Sequence, residues 1–351
     1  MNSDYACSRE VFRHRSSPDL PALASVLPRR AMAASALAAI PPVWITMAKI
    51  FSTIFSVVYA LSLTLTPVRS RRTASGSSAP RWLADPRTNP SKHHAEVFIL
   101  KYSAAWILSV GVVIASRAFE WWGPWGYMVY CVSCAAPYLL YPLARPLPGD
   151  ASARRRDWYI LKANVWIAVF SFIGNYWYTH YFYGVLKADY TFEAHRLNDV
   201  PIALYFMTHA YFMFYHVLSN CALRRVRSGF EPDARRFAFE CALIGAMAYT
   251  TAFMESLTIC GFPYYRFENR DMAYTLGSAF YGIYFLVSFP MFLRVDEAAG
   301  GGRRGEKAAA MTTTFHQTFW EAMGSGMAVL CLLDFVRLAL GIDFVMKAGG
   351  H

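Results

Sequence analysis

Glu255 stands in the run AFMESLTIC, with Phe253, Met254 and Leu257 around it. A carboxyl in such company, kept from water, is a proton donor rather than a charge. Glu240, fifteen residues earlier, shares its helical face. His209, His216 and Asn220 stand at offsets of seven and four, so one helix face carries two imidazoles and an amide. A neutral imidazole can accept a proton. In KANVWIAVFSFIGNYWYTHYF the same spacing links Asn164, Ala168, Ser171, Asn175 and Tyr178 into a stripe of small and polar groups. Such a stripe faces protein, either for helix packing through interhelical hydrogen bonds or for a site. Asp334 and Arg337, three apart, read as an internal ion pair.

Metal and redox chemistry find little support. No HxxxH or HxxHH set accompanies the histidines to hold a di-iron centre, and His93 and His94 precede the apolar runs. Cys131 and Cys134 form a CxxC inside an apolar run, where small apolar packing is the simpler account. With no Gly-rich phosphate loop, nucleotide motif or internal repeat, neither a cofactor nor a metal is expected.

These groups need a scaffold, and composition names it. Of 351 residues 56% are apolar, 17% aromatic and 16% charged, with the charges confined to gaps between long apolar runs. Crossing a bilayer takes about 20 apolar residues of helix. Seven stretches qualify: 97–116, 125–143, 158–182, 201–223, 237–259, 273–293 and 319–341. The expected fold is all-α, a polytopic transmembrane bundle of about seven spans. Residues 1–80 read as an extension, with an apolar stretch at 43–66 that is a targeting segment, an eighth span interrupted by Lys49, or a mispredicted gene start. The membrane domain is placed at 81–345, with a short tail at 346–351 and a flexible loop at 296–314.

The formal charge of +11 does not point to nucleic acid, because nine Lys/Arg against three Asp/Glu in residues 1–80 supply +6 of it. Sixteen Lys/Arg lie before the first span and after the second, fourth and sixth, against six in the opposite loops and the tail. That asymmetry turns residue 95 toward the cytoplasm and the tail toward the lumen. Depth then separates two polar layers. Asn175, His180, Glu255, Tyr274 and Asp334 lie toward the lumen, with His209 near the midplane; Lys162, Asn164, His216, Asn220, Glu240 and Ser288 lie toward the cytoplasm. Aromatic residues, among them Trp166, Trp177, Phe212, Phe280, Tyr281 and Tyr284, run between, as an apolar pocket for a lipid-sized ligand requires.

The same segments resemble a known family, the cycloeucalenol cycloisomerases of plant and algal sterol synthesis. The resemblance covers about 81 to 345 and rests on RWLADPRTNPSKHHAEVF, on WYILKANVWIAVFSFIGNYWYTHYFYGVLKADYTF, on NDVPIALYFMTHAYFMFYHVLSNCALRR and on FMESLTICGFPYYRFENRDMAYTLGSAFYGIYFLVSFPMFLRVDE. Long blocks in order are more specific than any short motif. Departures fall at Asn269, where an acid is expected before Arg270, and in the 296–318 loop. The first weakens any essential carboxylate in FPYYRFENR.

The resemblance implies opening of the 9β,19-cyclopropane ring of a 4α-methyl sterol such as cycloeucalenol to give obtusifoliol, a Δ8 sterol, in the endoplasmic reticulum membrane and without a redox cofactor. That reaction needs an acid for C19, a wall for the cation at C9 and a base for the C8 proton. Glu255 is the first choice of acid, with His209 or Tyr281 stabilising its carboxylate. His209 or His216 would serve as base. Trp177, Phe212 and Tyr284 would face the cation. Asn164, Asn175 or Asn220 would hold the 3-hydroxyl, with His180 in the same luminal layer as Asn175. Another sterol isomerase, a sterol-binding protein, or a seven-span receptor or transporter are the competing expectations, the last disfavoured by the lack of a repeat, paired broken helices or a signalling motif.

Overall fold

The computed structural model describes residues 41–68, 80–297 and 312–341. Helix dominates it. After α1 (Pro42–Ser62) come α2 (Pro90–Ser116), α3 (Pro124–Ala135), α4 (Pro137–Ala144), α5 (Tyr159–Ile173), α6 (Thr179–Leu186), α7 (Ile202–Gly229), α8 (Ala234–Gly261), α9 (Arg270–Leu293) and α10 (Phe315–Ala339). Local chemistry sets the starts. Asn89, Asp233 and Thr314 cap α2, α8 and α10 by accepting from the third amide onward, and Pro opens α1 through α4, where its missing N–H costs nothing.

Each of the seven apolar runs is helical, yet not every one is a membrane span by length and apolarity. Among the described residues five helices pass that test, α1, α2, α8, α9 and α10, or six if the pair α3 and α4, bent by 49°, is one span. The expected seven is therefore not reached on this criterion, for physical reasons. The run at 158–182 is cut into α5 and α6 by a π-turn, Gly174–Tyr178, and α7 carries His209, His216, Asn220 and an arginine-rich last turn. A segment of the expected extension does form a helix: α1 runs unbroken through Lys49, which is exposed, and packs on α8. Residues 1–40 and 346–351 lie outside the described residues.

The helices pack α8 on α9, α3 on α7, α5 on α10 and on α7, and α9 on α10. Their common core is aromatic: Trp166, Phe170, Phe212, Phe285, Phe289 and Phe292 are all buried. A second π-turn, Ala273–Gly277, lies inside α9. Both π-turns are held by close approaches. A Cβ on Gly326 of α10 would sit 2.7 Å from Ile173, and one on Gly277 would sit 2.9 Å from Leu186. The Tyr178 hydroxyl donates to the Gly326 carbonyl across the first of these contacts. Two short strands, β1 (Ala188–Tyr190) and β4 (Tyr265–Phe267), pair antiparallel beyond the ends of α6 and α8, with Tyr190 opposite Tyr265 and an ion pair of 2.7 Å between Asp189 and Arg266. A second pair, β2 (Arg196–Leu197) and β3 (Val200–Pro201), leads into α7.

Candidate functional site

Glu255 lies two turns from the end of α8, opposite Tyr281 of α9, and the Tyr281 hydroxyl is 3.0 Å from each of its carboxyl oxygens. Both face a cavity of about 100 Å³. Tyrosines close it: Tyr211 from α7, Tyr190 and Tyr265 from the paired strands, and Tyr284 one turn beyond Tyr281. From Tyr211 a chain of hydrogen bonds leads away, the hydroxyl meeting Thr208 at 3.0 Å, Thr208 donating to Asn175 at 3.4 Å, and Asn175 donating to the Ser171 carbonyl at 2.9 Å. Gly174 and Asn175 of the first π-turn and Gly277 of the second line the same cavity. A π-turn inserts one residue into a helix and re-aims the side chains around it, and two of them at one cavity is a feature that helices need only where side-chain placement matters.

The structure thus gathers Glu255, Tyr281, Tyr284, Asn175 and Phe212 at one cavity and places the other expected residues elsewhere. His209, next to Thr208 in sequence, lies on a neighbouring face of α7. It lines an apolar groove of about 740 Å³ between α3, α4, α5 and α7, together with Asn164. His216 is wholly buried among Trp166, Phe170, Phe212, Phe285, Phe289 and Phe292, with Nδ1 2.7 Å from the Phe212 carbonyl and Nε2 2.9 Å from Ser288 Oγ. Both ring nitrogens are spoken for. Asn220 is wholly buried, and neither of its amide atoms has a partner among the described residues. His180 meets the Asn198 carbonyl at 3.1 Å and ties α6 to the β2–β3 turn, while Trp177 is 40% exposed against Tyr176. Glu240 pairs with Arg227 and Arg236, and Asp334 with Arg337. Cys131 and Cys134 are buried free thiols, and no cluster of His, Cys, Asp or Glu able to hold a metal occurs among the described residues.

The sequence reading passed over Tyr211, Thr208, Tyr190 and Tyr265. A signal existed for the first two, since Thr208, Tyr211 and Tyr215 repeat at helical spacing. For Tyr190 and Tyr265 none did, because strands of three residues separated by a helical hairpin leave no periodic trace.

A chain with this cavity matches one curated relative closely: the cycloeucalenol cycloisomerase of Arabidopsis thaliana is 41% identical over 271 residues, which are 76% of this chain and 92% of the relative. The chain belongs to that family of isomerases. No family model matches it, and no solved structure does.

The blocks that carry the family resemblance meet in space at the end of the bundle where α2 begins. Arg224, at the end of α7, forms paired hydrogen bonds to Glu96 of α2 at 2.7 and 2.9 Å and to Glu297 beyond α9 at 2.7 and 2.8 Å. Lys92 reaches Glu297 at 2.8 Å, and Lys162 reaches Asp296 at 2.8 Å. Three cations and three carboxylates therefore neutralise one another around the ends of α2, α5, α7 and α9. Burial by itself would raise the Glu297 carboxyl, but Lys92 and Arg224 beside it override that and hold it down at about 2. The pairing is fully hydrogen-bonded, which is the condition under which buried ions are tolerated. It fixes the end of α9, the helix that carries Tyr281.

Proposed function

We propose that this enzyme opens the 9β,19-cyclopropane ring of cycloeucalenol to give obtusifoliol, in the endoplasmic reticulum membrane, and that the seven apolar runs together with α1 cross the bilayer. The observation that carries the site is the Glu255–Tyr281 pair inside a tyrosine-walled cavity flanked by two π-turns.

In this reading neutral Glu255 gives its proton to C19. The C9–C19 bond breaks, its electron pair forms the new C19–H bond, and C9 is left as a tertiary cation. The rings of Tyr211, Phe212 and Tyr284 line the cavity, and their faces stabilise that charge. The Tyr281 hydroxyl, already 3.0 Å from both oxygens, donates to the carboxylate as it forms and offsets the cost of a charge away from water. The C8–H electrons then form the C8=C9 bond. Since His209 and His216 lie outside this cavity, the acceptor of the C8 proton is the Glu255 carboxylate itself. C19 and the C8 hydrogen stand on the same face of such a sterol, so one carboxyl can serve both, and the cycle closes with Glu255 neutral again and no net proton consumed.

A cavity of about 100 Å³ is small against the roughly 300–1,000 Å³ of clefts that bury a drug-sized ligand. Entry of the sterol nucleus therefore requires the helices to part, and the π-turns at Gly174 and Gly277, where the helical ladder is already irregular, are where they would do so.

The test is to express the full chain in yeast microsomes, supply cycloeucalenol and analyse sterols by gas chromatography with mass spectrometry. Obtusifoliol is the expected product. Untouched cycloeucalenol alongside conversion of a Δ8 sterol to another double-bond isomer would replace this reading with a different sterol isomerisation.

A further inference from the structure

The apolar groove beside α7 carries a few polar groups: Ser171 and Tyr205, whose hydroxyls donate to the Ala168 and Leu197 carbonyls, and the Asn164–His209 pair, whose protonation follows from its neighbours. Asn164 Nδ2 lies 3.1 Å from the Tyr138 carbonyl and 2.8 Å from the Ile160 carbonyl, so both of its hydrogens are donated and Oδ1 can only accept. His209 Nε2 lies 3.0 Å from that Oδ1 and must therefore carry the imidazole hydrogen. Nδ1 is left as a bare acceptor, with no partner among the described residues. The Ser171 and Tyr205 hydroxyls give their hydrogens to backbone carbonyls, and Leu139, Leu143, Ala168 and Phe206 in the same wall have none to give.

We propose that this groove is a second binding site, for a 3-hydroxy sterol, whose hydroxyl donates to His209 Nδ1. A volume of about 740 Å³ falls in the range of roughly 300–1,000 Å³ that holds ligands of this size. An imidazole acceptor without a hydrogen-bond partner among the described residues, set in a largely apolar wall, is the complement of a rigid hydrocarbon body bearing a single O–H. An acyl chain of a phospholipid would fill the space but leave Nδ1 unpaired, which costs free energy wherever water is excluded. Thr208 faces the Glu255 cavity and His209 faces the groove, so the two sites lie on neighbouring faces of one helix, separated by the Thr208–Asn175 contact. The groove takes the sterol from the surrounding lipid and holds it beside the π-turn through which it reaches Glu255. His209 is then a binding residue rather than a base. This assignment of the ligand rests on the sterol reading above.

The experiment uses the full chain in detergent micelles, carrying Glu255→Gln so that a bound sterol is not turned over. The probe is dehydroergosterol, a fluorescent 3-hydroxy sterol, excited by transfer from tryptophan, with its 3-deoxy analogue for comparison. The hydroxy sterol is expected to bind about tenfold more tightly than the analogue, as one desolvated hydrogen bond provides. His209→Phe should reduce that preference to within about twofold, His209→Gln, which keeps an acceptor, should retain most of it, and Ala168→Trp, which fills the groove, should abolish binding. Equal affinities for the two sterols in the parent would overturn the proposal without any further variant, and so would binding that survives Ala168→Trp. Native mass spectrometry in which Ala168→Trp loses a phospholipid and no sterol would overturn it in favour of an acyl-chain site. Cycloeucalenol turnover by the chain with Glu255 intact separates the two readings: turnover without groove binding removes the groove alone, and groove binding without turnover removes the reaction alone.

Discussion

The Tyr281 hydroxyl bridges both oxygens of Glu255 at 3.0 Å, from a neighbouring helix and inside a cavity that no histidine among the described residues lines. A phenol has one hydrogen to give, and its acceptors here are the two carboxyl oxygens, so the bond strengthens as Glu255 loses its proton. Glu255→Gln should therefore lower kcat at least about 10³-fold, since general acid catalysis supplies roughly 10²–10⁴. Tyr281→Phe should cost about 10- to 100-fold in kcat with KM little changed, the worth of a hydrogen bond to a charged group made mainly after proton transfer. Steady-state conversion of cycloeucalenol in microsomes measures both. A Tyr281→Phe enzyme that turns over normally would remove the hydroxyl from the mechanism.

A single carboxyl that both gives and takes a proton leaves an isotopic signature. The deuteron removed from C8 of one substrate molecule stays on Glu255 and is delivered to C19 of the next, unless it exchanges with solvent between turnovers. Substrate deuterated at C8, supplied at high concentration to speed turnover, should give obtusifoliol with part of the label in its C19 methyl group, read by mass spectrometry. The labelled fraction should fall as substrate is diluted and exchange gains time. Label absent from C19 at every concentration, together with one full solvent deuteron there in heavy water, would point to separate acid and base.

His216 is packed in the core, outside the Glu255 cavity. Both nitrogens are bonded, to the Phe212 carbonyl and to Ser288, and six aromatic rings surround it. His216→Ala leaves a void and an unpaired Ser288 hydroxyl, at a cost of about 3 kcal/mol. The expected result is a lower thermal unfolding midpoint and a smaller folded yield, with kcat per folded molecule within about threefold of the parent. A kcat loss of 100-fold in protein of unchanged stability would return His216 to the list of bases.

The helices and the Glu255 position were legible in the sequence because both rest on local apolar periodicity, which α8 follows without interruption. The histidines show where periodicity stops being informative. An offset of seven does put His209 and His216 near one face of α7, but that helix is 28 residues long and meets different neighbours along its length. At one level the face meets Asn164 of α5, and two turns away it meets Ser288 of α9. The π-turns were illegible for a related reason: GNYWY and AYTLG have the composition of ordinary helix, and it is contacts with Gly326 and Leu186, far away in the chain, that accompany the irregularity. The test by length and apolarity stops short of seven at the polar groups of α7 and the break between α5 and α6, which lower the apolarity and length of those segments.

The charge cluster at the start of α2 predicts how stability responds to acid. Glu297 titrates at about 2 in the folded protein against 4.5 for a free glutamate, so its folded pKa is depressed and its contribution is present above about pH 4.5. As pH falls from 4.5 through 2 the contribution is lost, because Glu297 becomes neutral and Lys92 and Arg224 lose their attraction to it. The shift corresponds to about 3 kcal/mol at neutral pH. Thermal unfolding in detergent between pH 7 and pH 3 should show a midpoint that is steady down to about pH 5 and then falls. Glu297→Gln should begin lower at pH 7 and fall less steeply in the acid range, since the group that titrates is gone. Arg224→Met should be the more damaging change, at about 3–5 kcal/mol, because it strands Glu96 as well as Glu297 without their shared cation. Parallel curves for the parent and Glu297→Gln would mean that the ends of α2, α7 and α9 are held by packing alone and that the cluster is electrostatically idle.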